Sequence, residues 1–472
     1  MDYLNPVLLL PALGLLCALV YLFPARLRWV LLLVASYAFY FWIGKWAILV
    51  LMALTVLNYF LALAIERATP ARAKTVLILG ILLNVAALAF FKYGNVLSAQ
   101  TGQAASFKLL LPLGMSFFTL QHIAYLVDVK KGLIPAERNL GIFAAFMAFF
   151  PKIASGPIER GRKLLPQLHQ PKQVNSDEVL LGFRQVVFGL FKKVVIADRL
   201  ALIVNQVFDN VGTYNGITIL YSMLFLTFQI YLDFSGYTDI ALGAARLMGI
   251  ELTPNFKRPY LATDVAEFWN RWHLSFSTWL RDYIFYPLRR FLLQHHSAQA
   301  LALVLPPLVT MLLSGAWHGV GWNFIAWGLY HAIFYIISLW VKDMRKLHPP
   351  RWPGLLKAVD ILVNFLVVSA GWVIFRLDSF TQIKRLFSSI SWANFINSPF
   401  RRNSFEFDFE FGLLFIVLVV VWEVLQEVTR GRLEIDKLPT GVRWLGYFLI
   451  LLAITTLGVF DYTGNPFIYF KF

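Results

Sequence analysis

Apolar residues in this chain come in long unbroken runs, not in the one-sided stripes of a surface helix. Runs near 5–23, 28–43, 46–65, 75–92 and 109–127 each approach the roughly 20 residues needed to cross a bilayer. Between 140 and 205 the pattern breaks. AFMAFFPKIASGPIERGRKLLPQL is interrupted by Pro151, Gly156 and Pro157 and then turns basic. Irregular backbone at membrane depth is tolerated only where it is buried in protein or lines a wet cavity, so a re-entrant or interfacial segment is expected there. The block 179–205 carries Lys192, Lys193, Asp198 and Arg199 among apolar residues, the composition of a helix partly at the interface. The stretch 216–345 reads as an apolar helix, a polar-aromatic segment and two further apolar runs, followed by runs near 358–376, 411–428 and 442–460. The pattern predicts an all-α polytopic membrane protein of about eleven transmembrane helices with re-entrant or interfacial helices. No internal repeat, soluble domain or low-complexity linker interrupts it, so residues 1–472 read as one membrane domain.

Composition agrees: 59% of residues are hydrophobic, 16% aromatic and only 14% charged, beyond what a soluble core needs. The net charge of +16, from 42 Lys and Arg against 26 Asp and Glu, does not point to nucleic acid, because the positive residues sit mainly in short loops. Arg26 and Arg28, then Arg67, Arg72 and Lys74, then Lys130, Lys131 and Arg138 mark cytoplasmic loops, against Lys45, Lys92 and Lys108 in the alternate ones. The positive-inside rule places the N-terminus outside. Lys342, Arg345, Lys346, Arg351 and Lys357 form a further cytoplasmic loop, as do Arg430, Arg432, Lys437 and Arg443, which leaves the C-terminus outside as well. The first apolar run has no basic n-region and reads as a retained span. Cys17 is the single cysteine, so no disulfide framework is available.

Two histidines stand out: His273 in WNRWHLSFSTWLRDY and His318 in SGAWHGVGWNF. An ionisable group at membrane depth is costly unless it faces a cavity or a partner. Two readings of the first segment stay open: an amphipathic helix at the headgroup level anchored by Trp269, Trp272 and Trp279, or a helix lining a tunnel with His273 aimed into it. For His318, closing an apolar run beside Gly315, Gly319 and Gly321, the alternatives are a structural histidine or a crowded site at a broken helix end. His331 and His122 have less polar company and read as packing or secondary tunnel residues. The spacing offers no zinc pattern, since HExxH and CxxC are absent and 45 residues separate His273 from His318, so no metal is expected. No GxxxxGK[ST], GxGxxG or GxSxG is present either.

Several separated stretches together resemble the membrane-bound O-acyltransferase family, in its bacterial polysaccharide-acetylating branch of the alginate O-acetyltransferase type. They are LPLGMSFFTLQHIAYLVDV (111–129), FFPKIASGPIER (149–160), YLDFSGYTDIALG (231–243), NFKRPYLATDVAEFWNRWHLSFSTWLRDYIF (255–285), GAWHG (315–319), GWVIFR (371–376) and the terminal FIYFKF. The resemblance implies a helical fold around a central tunnel, with N-terminal helices (1–130), a catalytic core (131–345) and C-terminal helices (346–472). It implies His318 as the catalytic histidine and His273 at the second active-site position. Asp233, Ser235, Tyr237, Asn270, Trp272, Arg281 and Trp317 become candidates for shaping the tunnel or holding the donor.

The implied reaction moves an acetyl group from cytosolic acetyl-CoA, without a metal, across the bacterial inner membrane toward a cell-surface polysaccharide, with membrane lipids around the chain. FIYFKF is similar to the family's tyrosine-bearing terminal motif, so Tyr469 is a candidate acyl relay to a periplasmic SGNH or esterase-like acetyltransferase partner; the alternative is an interfacial aromatic anchor. The stretch YPLRRFLLQHH replaces a basic, glycine-rich segment of the alginate branch, which leaves the acceptor open among alginate, peptidoglycan and other exopolysaccharides. Two rivals remain from the sequence: D-alanyl transfer to teichoic acid from a carrier-protein thioester, and a transporter or export channel in which the histidines relay protons.

Overall fold

A computed structural model describes residues 6–100, 111–171, 176–214, 216–295, 299–347, 352–390, 406–430 and 438–460. Among them every regular element is helical. In chain order these are α1 (Pro6–Leu22), α2 (Arg28–Gly44), α3 (Ala47–Arg67), α4 (Pro70–Gln100), α5 (Met115–Lys130), α6 (Leu140–Ala148), α7 (Phe150–Ile153), α8 (Gly161–His169), α9 (Ser176–Leu190), α10 (Asp198–Phe208) and α11 (Gly216–Leu247). There follow α12 (Val265–Trp269), α13 (Leu274–Leu280), α14 (Tyr286–Gln294), α15 (Gln299–His318), α16 (Trp322–Leu347), α17 (Pro353–Arg376), α18 (Phe380–Ser388), α19 (Glu406–Val428) and α20 (Thr440–Leu457). Nine helices among the described residues are long and apolar enough to cross a membrane, namely α2, α3, α4, α11, α15, α16, α17, α19 and α20. In eight of them only 6–39% of the apolar window is buried, as lipid-facing helices require, whereas the window of α11 is 72% buried. The chain is thus an all-α polytopic membrane protein. Of the remaining apolar runs, α1 has 17 residues and α5 has 16, and α5 buries all but a few of its side chains, including Gln121, His122 and Asp128.

The chain forms two compact units, Met1–Val186 with Thr238–Pro254 and Val187–Tyr237 with Asn255–Phe472. In the first, the core runs through Tyr125, Leu126, Phe143, Phe146 and Phe149, with Tyr125 and Phe143 rings 4.7 Å apart. Asn139 starts α6 by accepting from the backbone N–H groups of Gly141 and Ile142, a standard N-cap. Pro151 then falls in the first turn of α7, where its missing N–H is not needed. This broken segment is buried: Lys152 is fully enclosed, its ammonium donating to Gln121 Oε1 and to the carbonyl of Met147 at 3.2 Å. The backbone irregularity therefore lies inside protein, the condition under which membrane depth permits it.

In the second unit, a π-helical stretch, Phe191–Ala197, leads directly into α10. The widened turn directs Lys193 inward, where its Nζ lies 2.7 Å from both Asp198 Oδ1 and Asp233 Oδ1. Gly236 permits the close approach, because a Cβ there would stand 2.8 Å from the carbonyl oxygen of Gly189. The charges that suggested an interfacial helix at 179–205 are in fact largely buried: Lys193, Asp198 and Arg199 are 4%, 5% and 8% exposed. Pairing, not contact with headgroups, is what makes them tolerable.

Candidate active site

All of the following lies within the second unit. The polar-aromatic segment is not one helix. Asp264 caps α12 by accepting from Glu267 N–H at 2.9 Å, while the Glu267 carboxylate accepts from Thr263 N–H at 2.9 Å and Thr263 Oγ1 at 2.6 Å. Burial alone would raise the Glu267 pKa, but the Thr263 hydrogen bonds and the Arg271 guanidinium hold it below the usual carboxylate value. Arg271 bridges Glu267 at 2.6 Å and Glu427 at 3.0 Å, and Arg258 reaches Glu427 at 2.6 Å. Helix α12 stops after Trp269, and the chain turns sharply so that His273 takes a left-handed backbone, φ 43° and ψ 54°, as the residue preceding α13. Such a conformation costs a residue with a Cβ about 1–3 kcal/mol. Asn255 holds it in place: its carbonyl accepts from Leu274 N–H at 2.9 Å and its side chain from Ser275 N–H at 3.1 Å. Neither sequence reading of this segment anticipated the reversal, which leaves His273 1% exposed.

His318 is the last residue of α15 and is 6% exposed. The glycine before it has a packing reason, since a Cβ on Gly315 would meet the carbonyl oxygen of Phe324 at 2.2 Å. Removing that Cβ lets the start of α16 close over the histidine. The His318 ring then lies among Trp317 (4.8 Å), Trp327 (5.2 Å) and Phe375 (5.3 Å). Both imidazoles flank one ring, that of Phe276, with centroids 5.2 Å away for His273 and 5.7 Å for His318. Trp317 stacks on the same ring at 4.3 Å, and Phe234 meets His273 edge-on at 4.7 Å.

The other candidates fall into two groups. Asn270 and Arg281 line a cavity of about 210 Å³, together with Trp269, Ser277, Thr310 and Tyr335. Arg281 is partly exposed, 3.3 Å from its neighbour Asp282, with its guanidinium over the Tyr286 ring. Trp272, by contrast, is packed at 1% exposure between Phe256 and Trp372. Asp233 belongs to the buried pairing with Lys193, and Ser235 and Tyr237 are buried beside it in sequence on α11. His331 is fully buried against Trp269 and Trp327. Tyr469 lies outside the described residues. Among the described residues no cluster of three or more His, Cys, Asp or Glu side chains could hold a metal ion. Sequence reasoning missed Phe276, Trp327, Phe375 and Thr310; Phe276 was legible only as the position one helical turn after His273.

A family model described as MBOAT, membrane-bound O-acyltransferase family, matches residues 137–377, a stretch that holds both histidines. A probable alginate O-acetylase of Azotobacter vinelandii is 36% identical over 401 residues, covering 83% of this chain and 78% of that protein. A peptidoglycan O-acetyltransferase of Helicobacter pylori is 33% identical, covering 77% and 73%. A teichoic acid D-alanyltransferase of Streptococcus thermophilus is 31% identical, covering 57% and 68%.

Proposed function

The chain belongs to the membrane-bound O-acyltransferase family, and on that premise we propose that it moves an acetyl group from cytosolic acetyl-CoA to the outer side of the bacterial inner membrane for O-acetylation of a cell-surface polysaccharide. It is a multi-pass membrane acyltransferase. The observation that carries the proposal is the pair of buried imidazoles that both contact the Phe276 ring, at 5.2 and 5.7 Å between centroids. A neutral imidazole at His318 takes the proton of the acceptor hydroxyl as its oxygen attacks the thioester carbonyl. The tetrahedral intermediate expels the thiolate, which recovers that proton, so an ester and a free thiol leave and nothing else is consumed. His273, against the same Phe276 ring, supports the developing charge.

The cavity beside Arg281 and Tyr335 is the donor side. Lys342, seven residues beyond Tyr335 on α16, pairs with Asp264 at 2.8 Å and begins the basic loop that the positive-inside rule places in the cytoplasm. With that orientation both termini face outward. Alginate and peptidoglycan O-acetylation are the acceptor chemistries of the relatives that cover most of the chain. The D-alanyl relative covers less of it.

The decisive experiment gives membranes that contain the protein and its periplasmic partner labelled acetyl-CoA with a polysaccharide acceptor and follows free thiol and acetyl ester together. Thiol release without dependence on this protein, or D-alanyl transfer from a carrier thioester in place of acetyl transfer, would sink the reading. If Arg281 holds the nucleotide phosphates, Arg281→Gln raises the KM for acetyl-CoA several-fold and leaves that for S-acetylpantetheine, which lacks the nucleotide, unchanged. On the outer side Tyr469 serves as a transient acetyl carrier for a periplasmic SGNH or esterase-like partner. Mass spectrometry of the C-terminal peptide should find an acetyl group in the wild type and none in Tyr469→Phe, and that variant should lose polysaccharide acetylation; full acetylation in the variant rules the relay out.

A further inference from the structure

Hydroxyl side chains inside the helices of the second unit usually satisfy themselves. Ser222, Thr227 and Ser369 each donate to the carbonyl four residues earlier, at 2.8, 2.9 and 2.8 Å. Two residues of α15 do not follow suit. Among the described residues, Thr310 Oγ1 and Ser314 Oγ have no hydrogen-bond partner, although Thr310 is 5% exposed and Ser314 fully buried. The indole Nε1 of Trp269 is in the same condition. A buried polar group left without a partner costs about 1–3 kcal/mol, so three of them in one place need an explanation.

Their placement supplies one. Thr310 and Trp269 line the cavity. Ser314 is one turn beyond Thr310 on α15, and His318 one turn beyond Ser314. Residues four apart share a helix face, and the eight residues from Thr310 to His318 rise about 12 Å. Ser314 and His318 do not line the cavity, but at four-residue spacing on α15 they continue a row of hydrogen-bonding groups from Thr310 toward the end of the helix. The arm that carries an acyl thioester on coenzyme A has two amides in succession. Leaving water, each amide needs an acceptor for its N–H and a donor for its carbonyl. Hydroxyls offer both and an indole N–H donates.

We infer that Thr310, Ser314 and Trp269 bind the amide-bearing pantetheine arm of the donor and deliver its thioester to His318. The inference rests on the acyl-thioester reading above and names the residues that read the arm. It separates from the role given to Arg281 by which part of the donor each residue touches.

The test measures KM and kcat for acetyl-CoA and for S-acetylpantetheine in wild type, Thr310→Val and Ser314→Ala. Each variant should raise KM about fivefold, the worth of one hydrogen bond, by the same factor for both donors and with kcat little changed. Unchanged KM for both donors in both variants, or a fall in kcat at constant KM, overturns the inference while leaving the acetyl-transfer reading intact. A wild-type protein that cleaves neither donor removes that reading and this inference together. Should the apolar variants fail to fold, Thr310→Cys and Ser314→Cys in a Cys17→Ser background keep a side chain of similar size. Saturating acetyl-CoA should then slow their alkylation by a small thiol reagent. Equal labelling with and without donor, or no labelling in either condition, counts against the site.

Discussion

Replacing His318 with alanine should lower acetyl transfer about a thousandfold, the range over which a positioned general base acts, while the KM for acetyl-CoA stays near that of the wild type. The expectation follows from where the side chain sits. It is at the end of α15, closed over by α16 through Gly315, and is not itself among the residues that line the donor cavity. A loss confined to kcat is the signature of an interaction made in the transition state. His273→Ala should fall less steeply. If both imidazoles act on one tetrahedral centre, the double variant will be scarcely worse than His318→Ala alone, because residues that work as a unit are not additive. Labelled acetyl-CoA and a discontinuous thiol assay suffice, with gel filtration in detergent as the control for folding. A His318→Ala protein within tenfold of wild type would remove that residue from the chemistry, whatever the family pattern implies.

How far the sequence could be read depended on the range of the interaction involved. Long apolar runs are local signals, and α2, α3, α4, α17, α19 and α20 lie where the runs lie. The break after Phe149 was equally local, because proline and glycine dictate it. The placement of His318 at a helix end could be anticipated from its glycines, since backbone close approach leaves a compositional trace. His273 was harder. Its left-handed backbone depends on Asn255, eighteen residues upstream, and no helical periodicity reports a two-point tether of that kind. Lys193 was hardest: its charge among apolar residues suggested a helix partly at the interface, and composition carries no sign of the π-helical stretch within which it points inward to Asp198 and Asp233. The resemblance grouped Asp233 with the donor-holding candidates because it falls in the matching stretch YLDFSGYTDIALG; its ion pair gives it a different neighbourhood from Asn270 and Arg281. An export channel, one of the two rivals from the sequence, does not fit membership of an acyltransferase family.

That different neighbourhood leads to the second large effect. Lys193→Met should destabilise the protein by about 3–5 kcal/mol, the cost of removing one partner from a buried ion pair, because it leaves Asp198 and Asp233 facing one another without the ammonium that bridges them. Asp233→Asn should be much milder, since Lys193 keeps Asp198 at 2.7 Å. Combining Lys193→Met with Asp198→Leu and Asp233→Leu should recover most of the loss, as well-packed apolar side chains of similar volume often replace a buried ion pair at little cost. Thermal melting in detergent reads all three. The order matters for function as well as for stability. Asp233 is adjacent to Phe234, whose ring meets His273 edge-on at 4.7 Å, so loosening this part of α11 disturbs an imidazole without touching the donor cavity. Asp233→Asn should accordingly lower kcat modestly and leave the KM for acetyl-CoA unchanged. A raised KM with normal melting would instead make Asp233 a donor-binding residue, and equal melting temperatures for wild type and Lys193→Met would mean that the ion triad does not hold this part of the structure together.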